Sequence, residues 1–232
     1  MTASYVITPP PQAALAVQGE AAKFPVRRVW CVGRNYLEHI RELGNDERNP
    51  PFFFAKHADM AVADGSVIPY PTLTKDMQHE VELLVALKSG GLNISPEQAL
   101  DHVWGYGVSV DLTRRDLQTI SRKKEQPWEI GKSFDMSAPT GALIPAAKSG
   151  HPSKGKIWLS VNGTERQKGD LSEMIWNIAE IISKLSLQVE LGAGDVILTG
   201  TPAGVAALQP GDKVECGVDG IGTLKFAISE PK

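Results

Sequence analysis

The chain has 232 residues, 22% charged and 42% hydrophobic, with a formal net charge of -3. That is ordinary globular usage, long enough for one large core and lacking the basic stripe of a nucleic-acid surface. The N-terminus has no basic start or apolar run of a signal peptide, no apolar stretch could span a bilayer, and Cys31 and Cys216 have no metal or redox spacing. The expectation is a soluble cytoplasmic protein with reduced thiols and neither nucleic-acid nor membrane partners.

Pro9, Pro10 and Pro11 cannot sit in a helix or a central strand, so residues 1–24 are expected to form an extended arm packed on a single body of residues 25–232. "RRVWCVG" reads as a buried strand. "NYLEHIRELG" places Tyr36, Leu37, Ile40 and Leu43 at helical spacing, with Gly44 as the stop. "PFFFAKHADM" is a strand running into a loop. Strand signals then dominate: "EVELLVAL", "VWGYGVSVD", "KIWLSV", "VILTG", "KVECGV" and "TLKFAI", with Asn162-Gly163 as a primed hairpin turn. Two helices interrupt them, "SPEQAL" with a Ser cap and an early Pro, and "EMIWNIAEIISKLS" with Met174, Ile178, Ile181, Ile182 and Leu185 on one face. Strands do not alternate regularly with helices, which argues for a β-rich α+β domain.

Alternation along "HEVELLVAL" sends Glu80, Glu82 and Leu84 to one side and Val81, Leu83 and Val85 to the other. Two carboxylates on one face are either a solvated strand surface or ligands for a cation that prefers oxygen. Asp111 closes the strand "YGVSVD" before a polar run, where it is either a helix cap or a third ligand. His39 and Glu42, three apart on the first helix, are either a surface pair or a water-activating pair in which the carboxylate fixes the imidazole tautomer. Lys132, in the broken stretch "EQPWEIGKSFD", is a loop lysine or a clamp on substrate charge, and the turn in "LTGTPAGV" is either just a tight turn or a grip on a carboxylate. No phosphate loop, Gly-x-Ser-x-Gly elbow or zinc spacing occurs.

Together "VGRNYLEHIREL", "PFFFAK", "HEVELLVAL", "GYGVSVDLTRRDLQ", "PWEIGKSFD", "VNGTERQKG" and "LTGTPAGV" resemble the fumarylacetoacetate hydrolase family in its short acylpyruvate hydrolase form, from about residue 25 to the end. The openings "YVITPPP" and "FPVRRVWCVGRNY" most resemble members that cleave fumarylpyruvate in gentisate breakdown. The resemblance implies a β-rich mixed-sheet roll of the family's C-terminal-domain type with few short helices, in a homodimer. It implies Glu80, Glu82 and Asp111 as ligands for Mg2+ or Mn2+, with His39 and Glu42 activating water on a lid that orders with substrate. It places Lys132 by the metal, Arg115 and Gln118 on substrate oxygens, Thr201 on the carboxylate, and Arg34 and Lys56 near the same pocket. Where relatives often carry proline after the lysine, this chain reads Lys56-His57-Ala58-Asp59, which alters loop stiffness and adds a titratable ring.

The implied activity is hydrolysis of a carbon-carbon bond in a 2,4-diketo acid, fumarylpyruvate giving fumarate and pyruvate. An oxaloacetate decarboxylase, or an oxo-acid isomerase or hydratase, could use the same metal site, and a non-catalytic carboxylate-binding protein is the alternative from another class.

Overall fold

The computed structural model describes residues 4–36 and 49–232. Its framework is an eight-stranded mixed sheet in the order Phe52–Lys56, Arg28–Gly33, Asp195–Leu198, Val81–Leu87, Val103–Val110, Ala138–Thr140, Ala61–Ala63, with Ile144–Pro145 also pairing Val103–Val110. A five-stranded sheet, Thr164–Asp170, Lys156–Val161, Lys213–Val218, Gly222–Ser229, Val67–Pro69, packs on it. Five short α-helices lie among the described residues. This is the β-rich α+β roll with few helices that the sequence led us to expect.

Val81–Leu87 is central, and all seven of its residues are buried. Its alternation holds: Val81, Leu83, Val85 and Leu87 join one core cluster with Ile157, Leu159, Cys216 and Phe226 of the smaller sheet. Leu84 and Ala86 join a second cluster with Val29, Cys31, Val196 and Leu198. Leu15, Val17 and Phe24 belong to that second cluster, so the N-terminal strand pair Ala14–Leu15 and Phe24–Pro25 seals the sheet's other face. Each such buried Val, Leu, Ile or Phe side chain contributes roughly 1.5–3 kcal/mol.

Asn162 and Gly163 both take positive φ, 53° and 78°, as a primed two-residue hairpin requires between Lys156–Val161 and Thr164–Asp170. Two helices differ from expectation. The one containing "IAEIISKLS" begins at Ile178 rather than near Met174, because Asn177 and Glu180 form a capping box that sets its start. Arg115–Lys123 is helical although it carries no apolar stripe; its first turn is anchored when the Asp116 carboxylate accepts from Lys75 N and the Thr74 hydroxyl. Asp111 precedes that helix by four residues and does not cap it. The stretch that looked too broken for regular structure contains one helical turn, Glu129–Lys132. His39 and Glu42 lie outside the described residues. Among the described residues no helix is long and apolar enough to cross a membrane.

Candidate metal centre and its cavity

Strand pairing sets Glu82 opposite Ser109 and Val81 opposite Val110, while Asp111 N donates to Glu80 O at 2.8 Å. Two neighbouring antiparallel strands therefore deliver Glu80, Glu82 and Asp111 to one place, with a carboxylate oxygen of each within 4.8 Å of the others. All three are buried. Three carboxylates this close cannot stay ionised in a dry interior without cations.

The chain provides part of that charge. The Lys132 ammonium donates to Glu80 Oε2, Asp111 Oδ2 and Thr113 Oγ1, each at 2.7 Å, which takes up all three of its hydrogens. Burial alone would lower the Lys132 pKa, but Asp111 and Glu80 outweigh it and raise the value, so this lysine is a fixed cation and not a base. Burial alone would raise Glu80, yet Lys132 and Arg115 together hold it down at about 2. Arg115 donates to Glu80 Oε1, to Gln78 Oε1 at 2.8 Å and to Gln118 Oε1 at 2.6 Å.

Glu82 is treated differently. Burial first, then Asp111 and Glu80, push its pKa well above the ordinary carboxylate value. Its hydrogen-bond donor is the Gly200 backbone N–H at 2.6 Å. Gly200 takes φ +96°, and a Cβ there would meet Asn35 Cβ at 2.7 Å, so only glycine lets that N–H approach. Asp111 Oδ1 is also buried without a hydrogen bond; Lys56 Nζ pairs with it at 2.9 Å but out of line. A starved carboxylate beside an acceptor atom with no hydrogen bond is what a hard divalent cation would satisfy, and an all-oxygen donor set suits Mg2+ or Mn2+.

Lys56 stands behind the triad. Its ammonium also donates to Ser137 Oγ at 3.0 Å, to Leu112 O at 3.3 Å and to the Lys132 carbonyl, so it ties Asp111 to the turn that carries Lys132. It is not among the side chains that line the cavity. Above the triad opens a cavity of about 430 Å³, walled by Arg34, Gln78, Arg115, Gln118, Lys132 and Thr201 among others. Of the substrate-contacting residues expected from the sequence, Arg34, Arg115, Gln118 and Thr201 thus share one cavity with the triad.

Sequence reasoning overlooked several neighbours. Arg122 and Thr119 line the cavity from the same helix as Arg115 and Gln118, and Phe52 and Trp128 form an apolar wall with ring centroids 5.0 Å apart. The spacing 115, 118, 119, 122 is one helical face, a signal available once that segment is read as a helix. Cys31 is buried near the triad, and burial and the Asp111 charge raise its thiol pKa, which leaves it an inert core residue.

Residues 28–229 match the family model for the fumarylacetoacetate (FAA) hydrolase C-terminal domain. A candidate fumarylpyruvate hydrolase of Burkholderia cenocepacia is 51% identical, with a TM-score of 0.94 over 100% of this chain and 97% of that one. Fumarylpyruvate hydrolase of Pseudomonas aeruginosa, in complex with Mn2+ and pyruvate, is 46% identical, with a TM-score of 0.95 over 98% of this chain and 100% of that one. The mitochondrial oxaloacetate tautomerase of Homo sapiens is 39% identical over 219 residues, 91% of this chain and 99% of its own. The chain belongs to the fumarylacetoacetate hydrolase family.

Proposed function

We propose that this protein is a divalent-metal-dependent hydrolase of 2,4-diketo acids, with fumarylpyruvate as substrate and fumarate and pyruvate as products, serving gentisate catabolism. The observation that carries the reading is the buried triad of Glu80, Glu82 and Asp111 at the base of a cavity whose walls hold Arg34, Arg115 and Arg122. An acidic metal site facing a cationic wall suits a dianionic substrate. The Pseudomonas aeruginosa relative, crystallised with Mn2+ and pyruvate, supports both the ion and the oxo-acid half.

Glu80, Glu82 and Asp111 would hold a Mg2+ or Mn2+ ion, which when bound would supply Lewis-acid chemistry to an oxo acid. The rest falls to the chain. Thr201, Arg115 and Gln118 orient the carboxylate end, and Arg34 and Arg122 face the distal carboxylate. His39, oriented by Glu42, takes a proton from the water that attacks the distal ketone; Asn35 and Phe52, which bracket that segment, both line the cavity. The new C–O bond forms, the C3–C4 bond breaks, and its electron pair becomes the enolate of pyruvate, which then accepts a proton. Lys132, with its hydrogens already engaged, contributes fixed positive charge beside the developing enolate.

A second reading has specific support. The human relative acts on oxaloacetate by name, and tautomerisation or decarboxylation of an oxo acid also requires enolate stabilisation but no activated water. Metal-stripped protein assayed on fumarylpyruvate, by loss of enol absorbance before and after Mg2+, decides between them when oxaloacetate is run in parallel. Metal-dependent decay yielding fumarate and pyruvate supports the hydrolase; turnover of oxaloacetate alone replaces it with the second reading. Replacement of His39 with Ala is expected to cut fumarylpyruvate turnover about 10²- to 10⁴-fold while Mn2+ still binds, and unchanged turnover would remove His39 from the mechanism. We also assign a homodimer, on the family resemblance, and a cytoplasmic location suited to the two buried free thiols. Sedimentation as a monomer would overturn the first.

A further inference from the structure

Behind the cavity wall runs a chain of buried polar groups of which the mechanism above uses only Thr201. Gln167 and His79 are fully buried, and Thr201, at the end of the chain, is 6% exposed and lines the cavity. Gln167 Nε2 donates to Pro202 O at 2.9 Å and to Thr201 Oγ1 at 2.8 Å. Its Oε1 accepts from Val81 N at 3.1 Å and lies 2.8 Å from His79 Nδ1.

Backbone groups fix every direction in this network. A carbonyl can only accept and a backbone N–H can only donate, so Pro202 O and Val81 N–H together determine which end of the Gln167 amide is nitrogen. It follows that His79 Nδ1 carries a hydrogen and donates it to Gln167. It follows also that Thr201 Oγ accepts from Gln167, which leaves the hydroxyl's own hydrogen uncommitted. No described residue accepts that hydrogen. The turn is held against this strand by Gly204, at φ +93°, where a Cβ would meet Arg166 O at 2.1 Å.

We propose that Gln167 is a positioning residue that makes Thr201 an obligate hydrogen-bond donor to a carboxylate oxygen in the cavity, with His79 locking Gln167 in place. This rests on the reading of the cavity as an oxo-acid site. A free threonine hydroxyl can accept or donate and must choose on binding; here the choice is made before the ligand arrives, which lowers the cost of ordering it.

The test is calorimetric binding of pyruvate to the full-length, Mn2+-loaded protein in a double-mutant cycle. Thr201→Val should weaken pyruvate about tenfold or more, as loss of a hydrogen bond to a charged group does. Gln167→Met, close in volume, should weaken it several-fold in the wild-type background and by less than twofold in the Thr201→Val background, with Mn2+ affinity unchanged in each. Equal weakening in both backgrounds, or none in the wild type, would overturn the proposal while leaving the oxo-acid site standing. Wild-type protein that binds Mn2+ but no pyruvate would overturn both. Should Gln167→Met fail to fold, Gln167→Glu keeps the shape and the acceptor for Val81 N–H but can take the Thr201 hydrogen for itself. It should weaken pyruvate as much as Thr201→Val does, and wild-type affinity in that variant would sink the idea.

Discussion

The strand Asp195–Leu198 has a buried carboxylate near each end, and the two are handled in opposite ways. At its start Asp195, fully buried, accepts from Arg28 Nε at 3.0 Å, Arg28 Nη2 at 2.6 Å, Arg27 Nη1 at 3.2 Å and Gly192 N at 2.9 Å. Just past its end Gly200 N–H meets Glu82, which shares its surroundings with two other acids and lies in no ion pair among the described residues. Asp195 is saturated, and a saturated carboxylate holds structure. Glu82 is left short of positive charge, and that shortfall is what a metal ion would relieve.

Four measurements probe the contrast. The largest effect is expected from Glu82→Gln, which removes one ligand charge: metal-dependent turnover should fall by on the order of 10³-fold or more, since Lewis-acid assistance amounts to several kcal/mol. The same variant should leave the metal-free fold as stable as wild type or more so, because a repelled carboxylate is gone. Asp195→Asn should do the reverse. Breaking its ion pairs should cost roughly 3 kcal/mol in urea unfolding while the turnover of folded protein stays within twofold. If Asp195→Asn lowered turnover and spared stability, the two ends of the strand would not differ as described.

The pH dependence sharpens the same point. Because burial and the neighbouring Asp111 and Glu80 raise the pKa of Glu82, the native metal-free state keeps a proton that the unfolded chain has already lost. Between the ordinary carboxylate value of 4.5 and the raised one, the native state therefore binds the extra proton and metal-free stability falls as pH rises. Glu80 has the opposite sign: its stabilisation is present above 4.5 and is lost as pH falls through about 2. Metal binding needs Glu82 ionised, so Mn2+ uptake should release a proton, and affinity should rise about tenfold per pH unit while Glu82 is protonated. Calorimetry in two buffers of different ionisation heat reads this directly; identical heats would mean that Glu82 is already ionised.

How much of this was legible in the sequence follows from chemistry at particular positions. Glu80 and Glu82 stood out because acids interrupt an apolar strand, and Asp111 because an acid ends one. Lys132 sits in a single helical turn, too short for a periodic signal, and its place rested on resemblance. Gln167 was invisible within "TERQKGD", a run of polar residues. Its inward position comes from a register shift: Leu159 pairs with Gln167 but Ser160 pairs with Glu165, so the bulge at Arg166 resets the alternation and turns one polar side chain into the core. Arg115–Lys123 was unreadable as a helix for a related reason. The face it buries carries Gln118 and Ser121 in place of leucines, and Gln118 serves a cavity.

Arg122 gives the smallest and most selective expectation. It lies on the cavity-facing side of that helix, one further turn beyond Gln118 and Thr119, and unlike that of Arg115 its guanidinium has no hydrogen bond or ion pair among the described residues. Arg115 is tied to Glu80 and so belongs with the metal end; Arg122, uncommitted among the described residues, is suited to a second carboxylate. Because it is exposed, its pairing with an anion is worth at most about 1 kcal/mol, so Arg122→Ala should raise KM for fumarylpyruvate about two- to fivefold with kcat within twofold. Acetylpyruvate, which lacks the distal carboxylate, should be indifferent to the change. A matching rise in KM for both substrates would make Arg122 a general attractor of anions, and the choice of a diacid would then have to come from Arg34, whose guanidinium lies 5.9 Å from the Phe52 ring across the same cavity.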